Sequence, residues 1–409
     1  MAAPIQAALT AGPLRDVLAA PIDHRALGWL VGLTAACGAL VFREPSPYEL
    51  LFLPMAGLLF AFGLPIHRRL APLVLMVVLI SAGALIGLSA VRYETAAAIQ
   101  FAVITVYLLV TSLVFAAYVA DDPLRGGRIV LMGTVAAGAI ASLAAVIGYV
   151  GGIEAFMRFG RAKGTFEDPN VLGAFLVFPA CILLTWGLSR PVSRALIPLA
   201  LFSLVAIGLF LSFSRAAWGL LVLCGAITVF FTFATSADRA ERRRIGILTL
   251  AGIALALAGL MLALSIPATA DLIADRARLT QSYDSGYLGR FDRYSMGLMI
   301  VLERPLGLGS IQFRQYFPEE IHNVYLNTFL AYGWLGGGTY LVAVLWSLNK
   351  CLRLLQRRDA LRVLTIPVAA AFIGMALEGM IIDTDHWRHW FLLFGLVWGL
   401  DGAPPMRRG

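Results

Sequence analysis

A histidine and several arginines are the residues of this sequence whose types and positions are best suited to chemistry. His322 stands in the run Glu319–Asn323 (EEIHN), and a neutral imidazole accepts a proton readily near neutral pH. Arg161 and Lys163 lie in a turn-forming segment, and arginine offers a planar fork of donors to phosphate oxygens. We therefore predict a site that combines one general base with cations that hold an anion. The alternative is that these side chains only solvate or anchor helix ends.

Two further places carry arginine in unusual surroundings. Arg215 stands between two apolar runs with almost no loop between them, and a cation there is costly unless it finds a partner or water. Ordinary snorkelling to the membrane surface is the alternative. Arg290 and Arg293 would share one face of a helix. The alternative for this pair is a local ion-pair cluster with Asp292 and Glu303.

The acidic and histidine residues near the C-terminus suggest less. Glu378 lies inside an apolar segment, where it could pair with one of the arginines or take a proton. The run Asp383–His386 with His389 only superficially resembles a metal site, because a hard metal needs several converging oxygens. The sequence has no P-loop, no GxSxG and no HExxH motif. We predict no metal and no cofactor.

The elements that position these residues are membrane helices. The chain has 409 residues, of which 60% are hydrophobic and 14% are charged, whereas a soluble domain is about half apolar and about a quarter charged. Thirty of the 32 basic residues are arginine, and they form short clusters between apolar runs. This pattern indicates membrane topology rather than a nucleic-acid groove. No signal peptide is predicted at the N-terminus.

We predict an all-α polytopic membrane protein with about 12 transmembrane helices, forming a single integral membrane domain over residues 1–409. A bilayer core asks for about 20 apolar residues per helix. The predicted spans are 26–42, 48–65, 70–91, 96–120, 129–150, 170–188, 195–213, 216–234, 246–266, 323–348, 363–382 and 388–401.

The distribution of basic residues favours cytoplasmic N- and C-termini, because the connections that would then face inward carry most of the arginine clusters. Two outward segments, 151–169 and 267–320, carry basic residues against this trend. The second is a long loop between the ninth and tenth spans, and it is expected to hold short helices around 287–304. Cations in these segments are expected to bind an anion on the outer face. Gly333 and Gly337 have GxxxG spacing, which predicts close helix packing.

The order of these motifs resembles the O-antigen ligase family, which includes O-antigen and exopolysaccharide polymerases. Each motif alone is weak, but the order, with a long outward loop before His-Asn, is more specific. The motifs are Arg161–Asn170 (RAKGTFEDPN), Ser212–Arg215 (SFSR), Gly289–Arg290, Glu303–Gly309 (ERPLGLG), His322–Leu326 (HNVYL) and Tyr332–Gly336 (YGWLG). Glu167 and Asp168 depart from the neutral turn that is more usual in the family.

The resemblance implies a metal-independent, inverting, GT-C-like glycosyltransferase of the bacterial inner membrane, with its active site facing the periplasm. Its donor would be a glycan on undecaprenyl diphosphate, and its acceptor a lipid A-core sugar. Arg215 and Arg290 would neutralise the diphosphate, helped by Arg161 or Lys163, and His322 would take the proton of the acceptor hydroxyl. The resemblance also suggests three further substrate-binding residues, which are Arg293, Asn323 and Tyr325.

Two other functions stay open on the sequence. A polymerase would use the same donor but transfer the glycan to a second lipid-linked unit, and the motifs do not separate it from a ligase, which we favour. A transporter of lipid-linked oligosaccharides would suit twelve spans equally well. A transporter should distribute charged residues along a central path, whereas here they gather at the predicted outer face.

Overall fold

The computed structural model describes residues 24–42, 45–267, 270, 273–274, 289–317 and 319–404, and these residues are almost entirely helical. The helices are α1 His24–Cys37, α2 Pro47–Ala61, α3 Ala71–Gly87, α4 Thr95–Asp121, α5 Pro123–Gly151, α6 Pro169–Ser189, α7 Val192–Leu211, α8 Arg215–Ala234, α9 Arg239–Leu264, α10 Arg290–Glu303, α11 Val324–Leu355, α12 Arg362–Glu378 and α13 Arg388–Leu400. Short 3₁₀ helices occur at Arg68–Leu70, Leu88–Ala90, Glu154–Phe156 and Gln312–Gln315. A two-stranded hairpin joins β1 Met157–Arg158 to β2 Arg161–Ala162.

The polytopic membrane architecture is confirmed. Each of the twelve predicted spans overlaps one helix, and in the described residues eight helices are long and apolar enough to cross a membrane. α1 and α2 are shorter apolar helices, and α12 and α13 have 17 and 13 residues. The number twelve therefore stays a prediction. A helix was also expected around 287–304 in the long loop, and α10 confirms it, while most of 267–288 lies outside the described residues.

The centre of the bundle is formed by α6, α12 and α13, whose side chains are buried almost throughout. Glycines allow the close packing. A Cβ atom at Gly395 of α13 would lie 2.7 Å from the carbonyl oxygen of Ser112 in α4. α9 differs from the rest, because no residue of its most apolar window is buried and only Glu241 and Ile245 of this helix are buried.

The contacts between connecting segments fall into two sets, one at each end of the bundle. At one end, Lys350 of α11 pairs with Asp401 after α13, with 2.5 Å between Nζ and Oδ2, and Arg362 pairs with Glu241. At the other end, His322 contacts Asp383. These sets coincide with the connections predicted to face inward and outward. The side of the membrane that each end faces stays a prediction.

α11 is interrupted at Gly333, which has φ 65° and ψ −172°. A Cβ atom at Gly337 would lie 2.6 Å from the Cα atom of Phe329, and the rings of Tyr325 and Tyr340 have centroids 6.3 Å apart. The residues before Gly333 therefore fold back along those after it. The close packing predicted from the GxxxG spacing is thus present, and it occurs between the two helical parts of α11.

Substitution of Gly337 should test this fold-back. Gly337→Ala should lower the free energy of unfolding by about 1–3 kcal/mol, because the added methyl group overpacks the backbone of Phe329. Gly338→Ala is the matched control, since its Cβ atom would meet only the end of the Phe329 ring at 3.9 Å. Thermal unfolding in detergent should therefore show a lower midpoint for Gly337→Ala alone. Equal midpoints for the two variants would contradict the fold-back.

Candidate functional site

His322 lies just before α11 and is held by Asp383 in the connection between α12 and α13. Its Nδ1 atom is 3.3 Å from Oδ2 of Asp383, and its backbone N–H donates to the same oxygen at 3.2 Å. His322 has φ 51°, in the left-handed region that bulky residues seldom adopt. The backbone is therefore fixed in an unfavourable conformation that brings both groups to one carboxylate. The side chain remains about one third exposed, at 36%.

α10 holds the same segment from another side. The Tyr294 hydroxyl lies 2.9 Å from the carbonyl oxygen of His322 and 3.1 Å from that of Met380. Arg293 donates from Nη1 to the carbonyl oxygen of Glu320 at 2.8 Å and lies 3.0 Å from Oε2 of Glu319. The predicted partners Asp292 and Glu303 are thus not the acids that Arg293 contacts. Arg293 is 3% exposed. Its main role in this structure is therefore to fix the chain before His322.

Glu320 adds a second carboxylate beside this histidine. Burial raises the pKa of Glu320 above its ordinary value, against the opposing effect of Arg314, whose Nε atom lies 2.6 Å from Oε1. The charges of Asp383 and His322 also act on it. Glu320 is therefore easier to protonate than a surface glutamate, and the surroundings of His322 are acidic on this side.

The connection that carries Asp383 enters the bundle instead of lying on its surface. Asp385 is buried and accepts from Asn327 at 3.2 Å and from the Tyr332 hydroxyl at 3.4 Å. His386 stacks on Phe101 and lies 3.0 Å from the Thr105 hydroxyl. Thr105 stands about 15 Å along α4 from its first residue, at a rise of 1.5 Å per residue. The short helices α12 and α13 thus leave a recess that this connection fills.

The suspected metal run therefore has other partners. Asp383 contacts His322, and Asp385 is bonded by residues of α11. Among the described residues, no group of three or more His, Cys, Asp and Glu side chains could hold a metal ion. Glu378 is 2% exposed, and its Oε2 atom has no hydrogen-bond partner in the described part of the chain. Of the two possibilities considered for Glu378, an ion pair with an arginine is not present among the described residues.

Arg161 fastens the hairpin to two helices at this end of the bundle. Its Nε atom donates to the carbonyl oxygen of Ser212 at 2.7 Å, in the turn between α7 and α8, and its Nη2 atom donates to Oδ1 of Asn170 at 2.7 Å. The side chain is 7% exposed. Arg161 therefore fixes the backbone three residues before Arg215. Asp168 caps α6 by accepting from the N–H of Asn170.

Lys163 and Arg215 occupy more open positions in the same region. Lys163 is half-buried, and its backbone N–H donates to Phe156 at 2.9 Å. Arg215 is the first residue of α8 and is half-buried, as predicted for a cation in a tight turn. Arg161 fixes the turn before Arg215, whereas the backbone of Lys163 is held by Phe156. Neither Lys163 nor Arg215 lies in the interior of a helix.

The remaining predicted residues lie on α10 and α11. Arg290 begins α10, and its side chain lies outside the described residues. Asn323 caps α11 by accepting from Leu326 at 3.1 Å and donates to the carbonyl oxygen of Met380 at 3.1 Å. The Tyr325 hydroxyl donates to the carbonyl oxygen of Ala376 at 2.6 Å. In this structure both side chains shape the site.

The predicted residues thus form two groups at one end of the bundle. One contains Arg161, Lys163 and Arg215 around the turn between α7 and α8. The other contains Arg293, His322, Asn323 and Tyr325 around the start of α11. α12 connects them, because Gly374 packs against Cys224 of α8 while Gly379, just beyond its end, accepts from the N–H of Val324.

Asp383 was missed as a partner of His322. The sequence did contain a signal for it, since the predicted connection after the eleventh span faces the same side as the start of the tenth. The sequence did not predict which residue of this connection contacts His322. That pairing depends on the short length of α12 and on the left-handed backbone of His322.

Comparison with known families places this geometry in context. Residues 199–341 match the family model described as O-antigen ligase. This match supports an O-antigen ligase family assignment. The predicted resemblance is therefore confirmed. A search of curated proteins found no match to this chain.

The O-antigen ligase match begins within α7 and ends within α11. It contains Arg215, Arg290, Arg293, His322, Asn323 and Tyr325, and it excludes Arg161, Lys163 and Asp383. It supports an activity of the ligase or polymerase type on lipid-linked glycans in a membrane-embedded protein.

Proposed function

We propose that the protein transfers a glycan from undecaprenyl diphosphate to a sugar of a lipid A-core acceptor at the periplasmic face of the bacterial inner membrane. The observation that carries this proposal is the position of His322 against Asp383 at the same end of the bundle as Arg215, within a chain that matches the O-antigen ligase family. The reaction would be metal-independent and would invert the anomeric carbon.

His322 acts as the general base in this proposal. With its Nδ1 proton directed to Asp383, the other ring nitrogen is left unprotonated and can accept the proton of an acceptor hydroxyl. The acceptor oxygen then forms a bond to the anomeric carbon from the side opposite the diphosphate. The bond between that carbon and the diphosphate oxygen breaks, and the electron pair leaves with the diphosphate.

The cations stabilise the leaving group. A departing diphosphate gathers negative charge in the transition state, and fixed donors aimed at that charge lower the barrier. We assign this role to Arg215 and Arg290. Of the pair Arg161 and Lys163, we assign Lys163 to the diphosphate, because Nε of Arg161 already bonds Ser212 in the turn before Arg215 and its Nη2 already bonds Asn170 of α6.

A transfer assay with His322→Ala tests the function. Purified protein in proteoliposomes should transfer a diphosphate-linked glycan to core lipid A, and His322→Ala should lose at least about 100-fold in rate, since a general base contributes about 10²–10⁴-fold. His67→Ala is the matched control, because His67 contacts Asp121 at the opposite end and its loss should leave the rate unchanged.

The choice of acceptor separates the alternatives in the same assay. Transfer to core lipid A identifies a ligase, whereas transfer only to a second lipid-linked unit identifies a polymerase and would overturn the proposed acceptor. Movement of the donor across the bilayer with no new glycosidic bond would identify a transporter. Wild-type rates in His322→Ala would eliminate the proposed base.

Asp383 is a positioning residue in this mechanism, and Asp383→Asn tests that role. The variant keeps an oxygen for the backbone N–H of His322 but loses the charge that orients the imidazole, so transfer should fall by at least about tenfold, a part of what a general base contributes. Glu319→Gln is the control, because Glu319 contacts Arg293 and not His322.

Combining the two substitutions distinguishes positioning from simple structural damage. In a His322→Ala background, Asp383→Asn should cause little further loss of transfer, because the side chain that it orients is already absent. Independent, additive losses in the double variant would show that Asp383 acts through something other than His322.

A further inference from the structure

The exposed surface of α10 carries large apolar side chains, whereas a helix in a water-exposed loop would carry mainly polar ones there. Leu298 and Leu302 are spaced four residues apart on this surface and are exposed, and Leu306, three residues beyond the helix end, is exposed as well. Leu302 is 63% exposed and Leu306 is 58% exposed. We call these three residues the leucine row. An exposed apolar row of this kind marks a surface that binds something apolar.

The other edge of the exposed face is acidic. Asp292 and Glu303 are eleven residues apart, so they project in nearly the same direction from a helix of 3.6 residues per turn. Glu303 is exposed and projects about 100° away from Leu302. α10 thus has a leucine row, a buried face and an edge on which Asp292 and Glu303 lie beside the exposed Met296 and Met299.

The buried face of α10 supports the candidate site. Arg293 and Tyr294 hold Glu320 and His322 from this face. Through the Tyr294 hydroxyl, α10 also lies against Met380, where Leu377, Met380 and Ile381 are exposed at the end of α12. α10 therefore lies next to the apolar outer surface at the end of α12.

From this continuity we propose that α10 is an interfacial helix whose leucine row inserts between the lipids of the bilayer surface while its acidic edge faces water. Amphipathic helices bind membranes in this way, with the apolar face at the boundary between headgroups and acyl chains. Arg304, which is exposed between Leu302 and Leu306, suits the lipid phosphates at that depth.

This arrangement goes beyond the proposed function and does not depend on it. It predicts that lipid binding to one face of α10 fixes the height of His322, which the opposite face holds. The candidate site would then stand at the level of lipid phosphates.

Spin labels on neighbouring residues provide the test. Leu302→Cys and Glu303→Cys are labelled separately in the full chain, reconstituted in liposomes of phosphatidylethanolamine and phosphatidylglycerol. The four native cysteines are buried, so a reagent should favour the introduced thiol, and unsubstituted protein measures any background. Collision of each label with oxygen, which concentrates in lipid, is compared with collision with a water-soluble nickel chelate.

For each label, the measured quantity is the ratio of its collision rate with oxygen to its collision rate with the nickel chelate. This ratio should be at least about three times higher at Leu302 than at Glu303, because the two side chains project about 100° apart. Leu298→Cys should behave like Leu302→Cys. Equal nickel access at Leu302 and Glu303 would overturn the proposal, since both would face water. Exclusion of the Leu302 label from both reagents would also overturn it, because protein would then cover the row. No turnover is measured, so the result is separate from that of the transfer assay.

Discussion

The contact between His322 and Asp383 is the interaction on which the site depends. One carboxylate oxygen lies 3.3 Å from the imidazole Nδ1 atom and 3.2 Å from the backbone nitrogen of the same residue. The two residues are 61 positions apart in the chain. Their approach requires a positive φ at His322, and a strained backbone of this kind persists only where its surroundings fix it. Here the surroundings are α10, α11 and the connection after α12.

The fold creates the space for this contact through helices that stop early and a helix that turns back. α12 and α13 are short, and the polar connection between them fills the resulting recess with hydrogen bonds to Asn327, Tyr332 and Thr105. Gly333 reverses α11 so that its first part lies beside its second. Burying a polar group costs free energy that a hydrogen bond offsets. The recess is thus stabilised by the same connection that presents Asp383.

Hydropathy predicted the positions of the membrane helices well, because the requirement for internally satisfied backbone hydrogen bonds leaves few alternatives in a bilayer. Because successive spans cross in opposite directions, the predicted order of spans also predicted which connections lie at the same end. The contacts of Lys350 with Asp401 and of His322 with Asp383 are examples. Motif order predicted a resemblance to the O-antigen ligase family, and the match over 199–341 confirms that resemblance.

Side-chain partners were less predictable. Arg161 was expected to face a substrate, yet it is buried against Ser212 and Asn170, because the arginine fork also suits backbone carbonyls. Arg293 was predicted to bind substrate, with an ion-pair cluster on its own helix as the alternative, yet it bonds a segment 27 residues away. Such contacts depend on tertiary packing and on turns with positive φ, and neither has a periodic signal in the sequence.

The central claim is that the turn before α8 and the segment before α11 hold one substrate between them. Photo-cross-linking with a lipid-linked diphosphate glycan, carrying a diazirine on the sugar beside the diphosphate, measures this directly in the full-length protein. The account predicts labelled peptides from both 211–218 and 319–326 in the same preparation, and competition by unmodified donor. Labelling of only one of these segments, or of neither, would contradict it.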